Sequence, residues 1–166
     1  MVIGVFRDRA NATQAYNWLL SRGYTDSEIS FMMSDETRRY FENEGKHNVG
    51  NQGVEGVATG GSIGAAVGAT AAAIAAIGTA VAIPGLGWVV AGPVLAGLAG
   101  AGAGAVTGGL IGGLVGLGIP ESNARAYEEA LKNGGVVLGV EPRSGDESEI
   151  KQHFEKLQGE NVICCS

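Results

Sequence analysis

From Gly56 to Pro120 the chain contains no Asp, Glu, Lys or Arg: 65 residues, of which 19 are Gly and 17 are Ala. The 11 basic and 17 acidic residues all lie outside that stretch. Such a segment does not make an ordinary water-facing surface. It does not read as intrinsic disorder either, because disordered chains are charged and poor in Ile, Val and Leu. Its glycines do not recur every third residue, which excludes collagen. A basic block is also lacking. Lys and Arg stand singly apart from Arg38-Arg39, and the net charge is −6, which argues against a nucleic-acid phosphate track. There are only two cysteines, Cys164 and Cys165. Neighbours in a strand point to opposite faces, so a bridge between them would be strained. They read as free thiols, suited to a reducing cytosol. The start, MVIGVFRDR, lacks the basic opening and long apolar run of a signal peptide, so a cytoplasmic head is expected.

Outside the uncharged segment the pattern is that of an α+β domain. Val2 to Phe6 is an apolar run closed by charges and predicts a buried strand. Asn11 or Thr13 can cap a helix running through Arg22, with Ala15, Trp18 and Leu19 on one face, and Gly23 ends it. Glu28 to Ser34 predicts a second strand, Asp35 to Glu44 a polar helical turn, and Gly45 to Gly53 a loop. Pro120 opens a helix over Glu121–Asn133, and its first-turn acid suits the helix dipole. Val136–Glu141 predicts a third strand. A helix over Asp146–Gln158 with Ile150, Phe154 and Leu157 inward follows, then a last strand over Val162–Cys165. Without the insertion and its exit helix the order is β-α-β-β-α-β, the split βαβ or ferredoxin-like pattern. Three segments are expected: residues 1–52 and 119–166 as two halves of a ferredoxin-like head, and 53–118 as a helical hairpin inserted between them.

The insertion has two registers of small residues. Gly56, Gly60, Gly64, Gly68, Ala72 and Ala76 recur every fourth residue, as do Ala96, Gly100, Gly104, Gly108, Gly112 and Gly116. On a helix, positions four apart share a face, and each row would let another backbone come close, as in small-xxx-small helix packing. Pro84, Gly85 and Gly87 form a breaker cluster between the rows. This predicts long helices over Gly53–Ile83 and Trp88–Leu117 with the turn between them. Each helix has a second small ridge, which predicts a homo-oligomer. Each arm exceeds the ~20 residues that span a bilayer, yet Gly and Ala are weakly apolar and the flanks Glu55 and Glu121 are acidic. A lipid bilayer and a purely proteinaceous assembly both stay open as partners. Deleting Gly56–Leu117 is expected to leave a folded, monomeric head.

These features resemble a bacterial family, the general stress protein M-like and low-temperature-induced proteins. The matching parts are Val2–Phe6 with Ala10–Leu20 after it, the central glycine zipper, and Gly118-Ile-Pro-Glu-Ser-Asn-Ala-Arg-Ala-Tyr-Glu-Glu-Ala-Leu-Lys-Asn-Gly-Gly-Val-Val-Leu. The resemblance implies a stress-linked protein, often placed at the membrane, with no known catalytic residues to carry over.

Other motifs carry little chemistry. There is no GxxxxGK[ST] phosphate loop, and Gly102-x-Gly104 has no strand before it. His47 and His153 have no Cys or His at ligand spacing. Glu128 and Lys132 make an i, i+4 surface pair. Arg38, Arg39 and Lys46 could meet anionic head groups or simply be solvated. Trp88 suits an interfacial anchor or a plug at the hairpin tip. Three functions of different kinds remain. The first is a non-enzymatic, stress-associated structural protein that homo-oligomerises through its glycine-zipper hairpin at or in the membrane, or as a soluble filament or shell. The second is a pore lined by Thr59, Ser62, Thr70, Thr79 and Thr107. The third is a regulatory domain that binds a small ligand on its four-stranded sheet. No acid, base and nucleophile are grouped, so no enzyme, cofactor, metal or nucleic-acid partner is expected.

Overall fold

Val2–Phe6 forms strand β1, and all five of its residues are buried. A strand apolar on both sides needs cover on both faces of its sheet, and the rest of the chain supplies it. The computed structural model describes residues 1–50, 81–83, 87–93, 95 and 102–165. After β1 come α1 (Arg9–Ser21), β2 (Ile29–Ser34), α2 (Asp35–Gly50), β3 (Val81–Ile83) and β4 (Trp88–Ala91). Then follow α3 (Gly102–Gly116), α4 (Glu121–Lys132), β5 (Val136–Val140), α5 (Glu147–Lys156) and β6 (Glu160–Cys164). The protein is α+β. Its described strands form one sheet in the order β3-β4-β2-β5-β1-β6, with neighbouring strands antiparallel throughout.

Strand β5 lies between β1 and β2, pairing Val5 with Val137 and Phe31 with Leu138. The period of two then sorts side chains onto two faces. On the first face Phe6, Phe31 and Leu138 pack with Tyr16 and Leu19 of α1 and Phe154 of α5. Phe6 and Phe154 meet edge-to-face with ring centroids 5.3 Å apart, a favoured geometry for aromatic pairs. On the second face Ile3, Met32 and Val137 lie beneath Tyr127 of α4 and Leu110 and Leu114 of α3. Full burial of each such side chain contributes about 1.5–3 kcal/mol, so both layers matter to stability.

Local signals explain the boundaries. Asp8, rather than Asn11 or Thr13, caps α1: its backbone is extended and its carboxylate accepts the Ala10 N–H at 2.8 Å. Helix α2 runs on to Gly50 instead of giving way to a loop at Gly45. After β4, Gly92 turns the chain with φ +91°, and a Cβ there would stand 2.3 Å from the Ile29 carbonyl oxygen. No other residue fits that approach.

The helical hairpin is corrected at its centre. Val81–Ile83 and Trp88–Ala91 are strands, not the end of one long helix and the start of the next. They pair with each other, and β4 pairs along β2, with Ser34 opposite Trp88 and Met32 opposite Val90. The reason is composition. Val81, Ile83, Val89 and Val90 are β-branched and Trp88 aromatic, residues that favour a pleated surface, and β2 offers an edge to extend. Ile83 pairs with Trp88, and Gly87, just before β4, has φ +67°. Helix α3 is corrected too, since Gly109 at φ 62°, ψ −160° breaks it into two pieces. The expected helix over residues 53–80 lies outside the described residues.

Candidate functional site

Among the residues expected to form an oligomer interface, Gly56, Gly60, Gly64, Gly68, Ala72, Ala76, Ala96 and Gly100 lie outside the described residues, as do Pro84 and Gly85. Gly104 and Gly108 lie on α3 before the break at Gly109, and Gly112 and Gly116 after it. The four therefore do not share one uninterrupted helical face. Beyond the break the helix has two sides. Leu110 and Leu114 are buried against the sheet, while Val115 is 44% exposed. A Cβ on Gly116 would meet no atom within 4 Å.

That packing corrects two further expectations. The second face of the sheet is covered by α3 and α4, so it offers no open platform for a small ligand. Deleting Gly56–Leu117 would strip Trp88, Val90, Leu110 and Leu114 from a core cluster, so the remainder would not be an intact head. Trp88, the first residue of β4, is 6% exposed and packs into the core cluster of the second face. Of the polar lining expected for a pore, Thr107 lies on α3 and Thr59, Ser62, Thr70 and Thr79 fall outside the described residues.

The charged candidates are held by partners. Arg38 pairs with Asp35 at 2.9 Å and with Glu42, and Arg39 pairs with Asp35 at 2.9 Å. The Arg38 hydrogen bond comes first among the causes that hold the Asp35 carboxyl below its ordinary range. Lys132 pairs with Glu128 at 3.3 Å, as its spacing predicts. His47 lies on α2 rather than in a loop, and His153 stacks on Trp18. Cys164 is exposed and Cys165 partly buried, both as free thiols. Desolvation pushes both upward in pKa, which lowers thiolate content and reactivity. Among the described residues no group of three or more His, Cys, Asp or Glu is placed to hold a metal.

One feature has no sequence signal. At the end of the sheet where β1 enters α1, two concavities meet along Arg9, Asn133 and Gly134. The first, about 560 Å³, is walled by Arg7, Tyr40 and Phe41; the second, about 630 Å³, by Asp35, Glu36 and Trp88. The Arg9 guanidinium sits 4.2 Å over the Tyr40 ring. Gly134 ends α4 with φ +84°, and its carbonyl accepts the Thr37 hydroxyl at 3.3 Å. Thus the starts of α1 and α2 and the end of α4 are tied around one cleft.

Comparison of the chain with known protein families, curated proteins and solved structures finds no match.

Proposed function

We propose that this chain is a non-enzymatic structural protein that associates with further copies of itself through its uncharged segment. One observation carries the reading: the outer side of α3 leaves Val115 exposed and the position of Gly116 open. A small residue open on a helix lets a second backbone approach closely, and Gly116 ends a row of small residues spaced by four. We further read β1, β2, β5 and β6, with α1 and α5 as crossovers, as a ferredoxin-like head. Their order β2-β5-β1-β6 supports this. The β3–β4 hairpin beside β2, and α3 with α4 on the second face, are additions to that plan. The stress-linked role implied by the family resemblance belongs to the same proposal.

We read the assembly as one whose uncharged segments bury one another rather than as a bilayer-crossing hairpin. Only 30 residues separate Gly50 from Val81, where the chain rejoins the sheet, and two crossings need about 40.

Sedimentation velocity of the full chain in detergent-free buffer tests the proposal. Gly116→Leu enters open space in the single chain, so its melting should match the wild type while its assembly shrinks. Gly104→Leu should shrink it as well. If both variants sediment like the wild type, association along this row is wrong. Flotation of the protein with lipid vesicles, together with monomeric behaviour in their absence, would instead favour the bilayer.

A further inference from the structure

We propose that the cleft beside Arg9 binds a small molecule through a carboxylate or phosphate group, with Arg9 as the residue that reads the anion.

Neighbouring charges already have partners. Arg7 pairs with Glu160 at 2.9 Å and Lys132 with Glu128 at 3.3 Å. Asp35 is held by Arg38 and Arg39, and Asp8 caps α1. Arg9 differs: among the described residues its side chain has neither an ion pair nor a hydrogen bond, only the cation–π contact with Tyr40. A guanidinium carries five N–H donors in a rigid plane and no acceptor. Leaving them unmatched in a partly enclosed position is unfavourable. A position over an aromatic ring holds such a group by cation–π attraction. The in-plane edges, which match two oxygens of a carboxylate or phosphate, are left for a ligand.

The surroundings fit that use. Backbone rather than side chain faces the guanidinium at Gly134, where even a Cβ would come within 3.2 Å of Arg9 Nη2. The first concavity has two arginines and one acid, Asp8, among its lining residues. Glu36 lines only the second concavity, which places the anion in the first. The volume of about 560 Å³ is that of a small-molecule pocket rather than of a bare ion site. Phe41 and Tyr40 supply apolar wall for the rest of the molecule.

The test is NMR titration of the full chain at constant ionic strength, following the Arg9 Nε–H and the Gly134 amide. Benzoate and phenyl phosphate are the probes, with chloride as control. At least one probe should produce saturable shifts at both positions, and the tighter one identifies the anion. Arg9→Lys keeps the charge but not the fork, and should weaken binding by about tenfold. Arg9→Gln should abolish it, and Arg22→Gln, on the far end of α1, should titrate like the wild type. Shifts that stay linear to about 20 mM, beyond the millimolar affinity expected of one bidentate contact, overturn the proposal. Unchanged binding in Arg9→Lys overturns it too, and does so even if Arg9→Gln fails to fold.

Discussion

The imidazole of His153 lies flat on the indole of Trp18, with ring centroids 4.0 Å apart and planes 11° from parallel. The stack joins α5 to α1 at the edge of the first core layer. Burial, then the charge of Lys156, holds the His153 pKa below its ordinary value, against a smaller opposing effect of Glu149. The folded state therefore favours the neutral ring. As pH falls through about 6.5 the unfolded chain takes up the proton first, so stability drops until the folded-state pKa is passed. Urea midpoints measured from pH 8 to pH 5 should fall for the wild type, and fall less for His153→Gln. Equal slopes for the two would show that this ring does not titrate differently on folding.

Leu114 and Val115 are neighbours on opposite sides of α3. Leu114 is fully buried under α4 and Val115 exposed. Leu114→Ala should cost about 2–5 kcal/mol through the cavity it leaves. Val115→Ala should stay within about 0.5 kcal/mol. Chemical denaturation of both variants checks whether the end of the uncharged segment roofs the sheet; similar losses would contradict the packing described.

Gly92 and Gly116 make a second contrasting pair. Gly92→Ala puts a methyl group against the Ile29 carbonyl and Ser30 at a positive φ. It should destabilise by more than the ~1–3 kcal/mol typical of overpacking, because backbone strain adds to the clash. Gly116→Ala meets open space and should be neutral, or stabilise by up to about 1 kcal/mol through helix propensity. Thermal melts at one protein concentration would rank them, and a mild Gly92→Ala would refute the close β4–β2 approach.

Tyr24 links two loops. Its hydroxyl accepts the Arg143 N–H at 3.0 Å and donates to Asp146 at 2.9 Å, while the Arg143 guanidinium lies 4.5 Å over its ring. Tyr24→Phe keeps the ring and removes both hydrogen bonds, at a cost of about 1–3 kcal/mol. Hydrogen exchange at the Arg143 amide should speed up selectively. Unchanged protection there would mean that the hydroxyl does not hold the loop.

Much of the head was legible in the chain because its signals are long or punctuated. The apolar runs Val2–Phe6 and Val136–Val140 can only be covered strands, and Gly23 and Gly134 mark helix ends with positive φ. The β3–β4 hairpin was hidden by its brevity. Three and four residues cannot display alternation, and small residues on both sides continue a four-residue rhythm that suits a helix. Nor does that rhythm reveal the break at Gly109, since a glycine permits helix and break alike. The cleft at Arg9 was illegible for another reason. Arg9, Tyr40 and Gly134 come together only through tertiary folding, and no spacing in the chain announces it.

Because β5 sits between β1 and β2, neither early strand finds its common neighbour until about a hundred further residues have been made. A ribosome releases the whole glycine- and alanine-rich stretch before that central strand exists. During this interval the nascent chain has β4 as the available partner for β2, and β1 has no strand beside it. Long-range pairing of this kind is slow and leaves apolar surface open to misassembly. The yield of native protein should therefore depend on holdase chaperones and on the pace of elongation up to Val136–Val140.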